Sequence, residues 1–196
     1  MFRRLTKSSF RRMFTSEQNL NEWQKVMVEK KLVEHDNISA SQFNLMGNTL
    51  NDPCYSHGHV PAVGTELPPA WHLAYFPPRV PETALSSDGF EKDWQPPQFP
   101  HRMWAGGELQ WNPENPLRVG DHAKMESSIR DVQFRPGGRR GDSVFVYVDK
   151  HMSNERGWAA TESRCWVYVK DNGNGEKSKK TAVKKDLLSA GDTKVG

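Results

Sequence analysis

The chain has 196 residues, which suits one domain with extensions and is short for two ordinary ones. Its net charge of +3 hides a split: residues 1–16 carry five basic residues and no acid, residues 170–196 carry seven lysines against four acids, and the middle has an acidic excess. A chain built to grip nucleic acid carries positive charge on its folded part, so that class is set aside. No apolar run approaches the ~20 residues that a membrane span needs.

All seven tryptophans lie between residues 23 and 166, which marks 17–169 as the folded domain. Cys54 and Cys165 are too few to staple a fold, and neither sits in a Cys-x-x-Cys pair, so two free thiols are expected. Residues 1–16, MFRRLTKSSFRRMFTS, have the composition of a mitochondrial targeting segment. The plainer alternative is a disordered basic arm. Residues 170–196, rich in Gly, Lys and Ser, read as a flexible tail.

Thr15 and Gln18 are spaced as a capping box, and Leu20, Trp23 and Met27 follow at helical spacing. This predicts a helix from about Glu17 to Leu32, broken at Asp36-Asn37. Ser39 and Gln42 form a second capping box, and Phe43, Met46 and Leu50 predict a helix to about Leu50. Its apolar face is short, so it needs a larger surface, a sheet, to pack on.

Ten of the thirteen prolines lie between residues 51 and 100. Proline fixes φ and lacks a donor, so no long helix or central strand fits there. Trp71–Phe76 nevertheless reads as a short strand-like piece, and Asp88-Gly89 marks a turn. So long and aromatic a loop is expected to wrap a sheet or cover a groove.

The run Phe99–Trp111 follows, with Arg102, Trp104, Gly106 and Gly107 where a strand begins. Adjacent glycines allow a close backbone approach or a bulge. In the plain reading they make a bulge, Trp104 packs in the core and Arg102 pairs with a carboxylate, Glu162 being the candidate. In the sharper one Arg102 faces a phosphate-bearing ligand, since guanidinium binds phosphate with a rigid fork. Arg135, Arg139 and Arg140 could serve the same purpose.

Ala123–Phe134 alternates at Met125, Ser127 and Ile129, then slips phase to Val132 and Phe134, which predicts a bulge. Pro136–Asp142 reads as a hairpin-like connection, Ser143–Lys150 as a strand, Asn154–Gly157 as a turn and Thr161–Val169 as the last strand. Two helices followed by antiparallel strands make an α+β chain. His57 and His59 beside Cys54 lack the further ligands of a zinc site. Asp121 and His122 are adjacent and point apart on a strand. No metal, no cofactor-binding motif and no catalytic residue is assigned.

Several ordered strings carry a resemblance: Leu67–Pro78, Asp88-Gly89, Arg102–Gly107, Pro116–Asp121, Arg135–Gly137, Gly141 with Val144–Val146, and Glu162 with Val167-Tyr168. Over about residues 20–169 the chain resembles the N-terminal half of the fungal mitochondrial 3-hydroxyacyl-thioester dehydratase type 2 family, in the wider MaoC-like group. The resemblance implies a hotdog fold: a curled antiparallel sheet around a central helix, here Ser39–Leu50, with a long Pro-rich loop. It implies dehydration of 3-hydroxyacyl thioesters in mitochondrial fatty acid synthesis, in the matrix. The partners implied are acyl carrier protein or a coenzyme A thioester, and another hotdog subunit or a homodimer. Full-length relatives carry the catalytic acid and base on a second hotdog, which this chain does not match after Val169. Arg102, Trp104, Gly106 and Gly107 are therefore expected on the substrate side only. A non-catalytic interaction subunit is the other function considered.

Overall fold

The computed structural model describes residues 16–138 and 141–170, with side chains from residue 18. In chain order they form α1 (Ser16–Glu29), β1 (Lys31–Asn37), α2 (Ala40–Leu50), 3-10 turns at Trp71–Ala74 and Glu82–Ala84, then β2 (His101–Trp111), β3 (His122–Gly138), β4 (Gly141–Asn154) and β5 (Gly157–Val169). Residues 1–15, which hold nearly all of the segment 1–16 expected to be a targeting signal, the pair Arg139-Arg140 and residues 171–196 of the expected tail lie outside the described residues.

The first helix stops earlier than its pattern predicts. Leu20, Trp23 and Met27 pack inward, but the chain leaves the helix after Glu29 and becomes a strand that the sequence reading missed. Lys31–Asn37 alternates strictly between exposed and half-buried positions. It pairs antiparallel with β3, from Lys31 opposite Ser128 to Asn37 opposite His122. That ladder satisfies backbone donors and acceptors of β3 that a longer helix would leave open.

Ser39 caps α2 as predicted: its Oγ accepts from the Gln42 N–H at 3.3 Å. The Gln42 amide does not close the box but donates to the Ala74 carbonyl. Phe43 is fully buried, its ring 4.8 Å from Tyr55 and 4.9 Å from Trp71. Trp71–Phe76 is not a strand. Prolines bound it and no neighbouring strand meets it, so the backbone turns on itself while Trp71, Tyr75 and Phe76 go into the core.

The five strands form one antiparallel sheet in the order β1-β3-β4-β5-β2. Both predicted bulges are present, one in β3 between Ile129 and Asp131 and one in β2 between Trp104 and Gly106. A Cβ on Gly107 would lie 2.7 Å from the Ser163 carbonyl oxygen, so the bulged strand needs glycine there.

The expected curled sheet around a central helix does not form. The fold is mixed α+β and hotdog-like, but the sheet is open, neither closed nor strongly curled, with β1 and β2 as separate edges. Among the described residues there is no long central helix: α2 has 11 residues, and α1 and the Pro-rich segment share the covering of the face. The core is accordingly split. Phe43, Trp71, Tyr75, Leu117 and Met152 belong to one apolar cluster; Leu20, Trp94, Phe99, Val146 and Tyr168 belong to another. A cross-strand row containing Ser127, Lys150 and Glu162 runs across the same face.

Candidate functional site

The core-facing positions of β4 read Val144, Val146, Val148, Lys150, Met152. Four are apolar and fully buried, and the fifth is a lysine. On β5 the same face carries Glu162, Arg164, Trp166 and Tyr168. Charges at such positions are expensive unless paired, so their concentration in one place marks a candidate site. They line a groove of about 810 Å³, open between β1, the His72–Val80 segment and the inner face of β4 and β5.

Glu162 is its electrostatic centre. Arg164 Nε donates to Oε1 at 2.6 Å and Nη2 to Oε2 at 2.7 Å, a bidentate fork. His72 Nε2 lies 3.5 Å from Oε2, within ion-pair range but long for a hydrogen bond. Burial alone would raise the Glu162 pKa; His72 and Arg164 outweigh it and hold the carboxyl at about 2. His72 is buried, and its Nε2 makes no hydrogen bond.

Lys150 stands opposite Glu162 in the β4–β5 ladder and opposite Ser127 in the β3–β4 ladder. Burial and then the Arg164 charge lower its pKa, while Glu34 and Glu162 pull it up. Glu34, on β1, is pushed above the ordinary carboxylate range by burial. A smaller pocket of about 410 Å³ lies beyond His72, with Leu67, Leu109, Leu117, Ala159 and Ala160 in its wall. His72 borders both cavities.

Arg102 also faces the groove, but its partner differs from the expected one. It pairs with Glu91 at 3.2 Å rather than with Glu162, because Arg164 already occupies Glu162. Its guanidinium lies between the rings of Phe90 and Trp166, 4.0 and 4.4 Å from their centres. Trp104 is not a core residue: it is 68 % exposed at the β2 edge. Gly106 and Gly107 form the bulge beside it. Arg135 is turned onto Phe145 at 4.0 Å, away from the Arg102 cluster. Asp121 does not face His122 but takes a bidentate contact from Arg156 at 3.0 and 2.9 Å.

His72, Lys150, Arg164 and Glu34 were not singled out from the sequence. The signal for Lys150 was available: a lysine in phase with Val144, Val146 and Val148 is out of place on a core face. No comparable signal marked His72, whose partner is distant in sequence and which sits in a segment misread as a strand.

The family described as Hydroxyacyl-thioester dehydratase type 2 matches residues 70–194. The Mesaconyl-C(4)-CoA hydratase of Chloroflexus aurantiacus is 35% identical over 136 residues, which is 68% of this chain and 46% of that protein. The chain therefore spans about half the length of this curated relative. Among solved structures, a chain of the ChsH1-ChsH2 complex from Mycobacterium tuberculosis superposes with a TM-score of 0.54 at 11% identity, over 79% of this chain and 91% of that one. A MaoC-like dehydratase from Rhodospirillum rubrum gives 0.45 at 20% identity, over 76% and 96%. At such identities the likeness to the first is one of fold alone.

Proposed function

The chain belongs to the hydroxyacyl-thioester dehydratase type 2 family, and from that premise we propose that it is one hotdog unit of an acyl-thioester hydratase or dehydratase. One observation carries this reading: His72, Arg102, Lys150, Glu162 and Arg164 all line the groove, and all lie within the matched residues 70–194. The reaction needs a base for the proton beside the thioester carbonyl, an acid for the leaving hydroxyl and a donor to polarise the carbonyl. This unit shapes the acyl site, and a second hotdog, from another chain or another copy, supplies the acid and base.

The finer reading is a 3-hydroxyacyl-thioester dehydratase of mitochondrial type II fatty acid synthesis, acting on acyl carrier protein or coenzyme A thioesters. The basic, acid-free residues 1–16 support a matrix location. Arg102, braced by two rings, is the substrate-side rim of the groove. Trp104, with Gly106 and Gly107, forms the edge that meets the second hotdog. Among the described residues β2 pairs only with β5, and an open edge of this kind is a template for another strand.

One observation favours a second reading, a non-catalytic interaction subunit. Trp104 and Trp111 expose large apolar surface on that same edge. Purified chain should be tested for hydration of crotonyl-coenzyme A by loss of enoyl absorbance, with butyryl-coenzyme A binding and molecular mass taken on the same sample. Binding without turnover supports the unit that needs a partner. Turnover would show that this hotdog carries its own acid and base. A folded chain that neither binds nor turns over would favour the interaction subunit.

A further inference from the structure

We propose that residues 77–85 form a flap on the wall of the groove, held shut by Arg79 and opened by release of that one catch. The motion follows from how the segment is held and assumes no ligand.

Both ends of the segment are fixed. Phe76 is buried, and its N–H donates to Asp36 Oδ2 at 2.7 Å. That bond holds a left-handed backbone, φ 53°, at a residue other than glycine, where the conformation needs support. At the far end Ser86–Phe90 closes on itself. The Ser86 N–H donates to the Phe90 carbonyl at 2.8 Å, and the Gly89 N–H to the Ser86 carbonyl at 3.0 Å. This turn is tied to β2: Asp88 Oδ2 accepts the Arg102 N–H at 3.0 Å, and the Phe90 ring lies against the Arg102 guanidinium.

Between these two posts the chain is weakly held. Val80 and Leu85 are half-buried and the rest of 77–85 is exposed; none of it belongs to either apolar cluster. Its backbone hydrogen bonds, from Ala84 to Pro81 and from Leu85 to Glu82, are internal. Among the described residues its polar ties to the rest of the fold are those of Arg79, whose Nη2 donates to the His35 carbonyl at 3.0 Å and lies 3.9 Å from Asp36 Oδ1. The Arg79 side chain is 67% exposed, so solvent screens that catch. A segment with so few buried contacts opens locally at little cost. Pro77, Pro78 and Pro81 fix their own φ angles, so it swings as a stiff piece.

The position of the segment gives this motion a role. Pro77, Pro78, Arg79 and Val80 line the groove beside β1, and Lys150 lies in the same lining. With the catch made, the wall is held against β1; with it broken, that side of the groove widens. One exposed charge-assisted hydrogen bond leaves roughly one molecule in ten open. Entry of a bulky molecule is then set by that minor form, and its apparent affinity is lowered by the same fraction.

The test reads the flap without any thioester. Thr83→Cys in a Cys54→Ser background takes a trifluoromethyl tag on the exposed flap, while Cys165 is partly covered. We expect fluorine relaxation dispersion on the μs–ms timescale with the catch intact, and a signal shifted toward the minor position in Arg79→Met. Labelling of Lys150 by a bulky succinimidyl ester, read by peptide mass against the exposed Lys92, should rise about five- to tenfold in Arg79→Met. Arg79→Lys, which keeps a donor for the His35 carbonyl, should fall between the two. Glu82→Gln, on the flap but outside the catch, should change neither readout. A fluorine signal without dispersion would overturn the flap, and so would Lys150 labelling that a folded Arg79→Met protein leaves unchanged. Association of crotonyl-coenzyme A in stopped flow should quicken by the same factor as the labelling. If that thioester does not bind while Lys150 labelling responds, the flap stands and the acyl-thioester reading falls. Dispersion in the protein with its catch intact decides the matter even where Arg79→Met fails to fold.

Discussion

The imidazole of His72 and the carboxylate of Glu162 face each other at 3.5 Å, although they come from a proline-bounded turn and from the last strand. This contact ties the cover of the sheet to its floor. Glu162 also anchors Arg164, so Glu162→Gln leaves a guanidinium and a histidine without their counter-charge. Breaking a buried pair is strongly destabilising, and with Arg164 partly exposed we expect a loss of about 2–3 kcal/mol in urea unfolding. The pH dependence has a definite sign. Glu162 falls from an ordinary 4.5 to about 2 on folding, so its contribution is complete above the ordinary value and is lost as pH falls toward 2. Acid should therefore destabilise the native chain more steeply than Glu162→Gln over that window.

Arg102 offers a test of geometry rather than charge. Its plane is held between Phe90 and Trp166 and its Nη2 reaches Glu91. Lysine keeps the charge but not the flat surface. Arg102→Lys should lose about 1–2 kcal/mol of stability by thermal unfolding, close to the loss from Arg102→Met.

Gly107→Ala tests the β2 bulge. The new methyl would press on the Ser163 backbone carbonyl, which cannot move without disturbing the β2–β5 ladder. A loss of about 1–3 kcal/mol is expected in chemical denaturation. Gly58→Ala is the control: its Cβ would meet nothing within 4 Å, and its effect should stay within about 0.5 kcal/mol.

The two thiols should separate kinetically. Cys54 is exposed, whereas Cys165 is partly covered and burial raises its pKa. Reaction with a chromogenic disulfide at neutral pH should consume one thiol quickly and the other slowly. Cys54→Ser should remove the fast phase.

Much of the fold was readable where one local signal dominated. The phase slip after Ile129 located the β3 bulge because side chains alternate with a period of two. Ser39 announced α2 because a cap needs only its own neighbours. β1 was hidden because Leu32 prolongs the apolar stripe of α1, and only pairing with β3 turns Lys31–Asn37 into a strand. Trp71–Phe76 looked like a strand because aromatic content was mistaken for pairing. The site was less legible than the fold. Glu162 was noticed as a charge in a strand, but its partner was misassigned: Arg164, two residues along the same strand, and His72, across the fold, hold it instead of Arg102.

The divided core has a consequence for how the molecule opens. α1 and the Trp94–Phe99 stretch lie over one apolar cluster, while α2 and the Leu67–Phe76 stretch lie over the other. The two covers share the sheet beneath them but not each other's packing, so each can detach as a separate cooperative unit. Amide exchange should then show two protection levels, one per cover, in the empty protein. A molecule lodged in the groove would touch both Trp94 and Ala74, one from each side. It would act as a cross-brace, merging two local openings into one and slowing exchange in helices it never contacts.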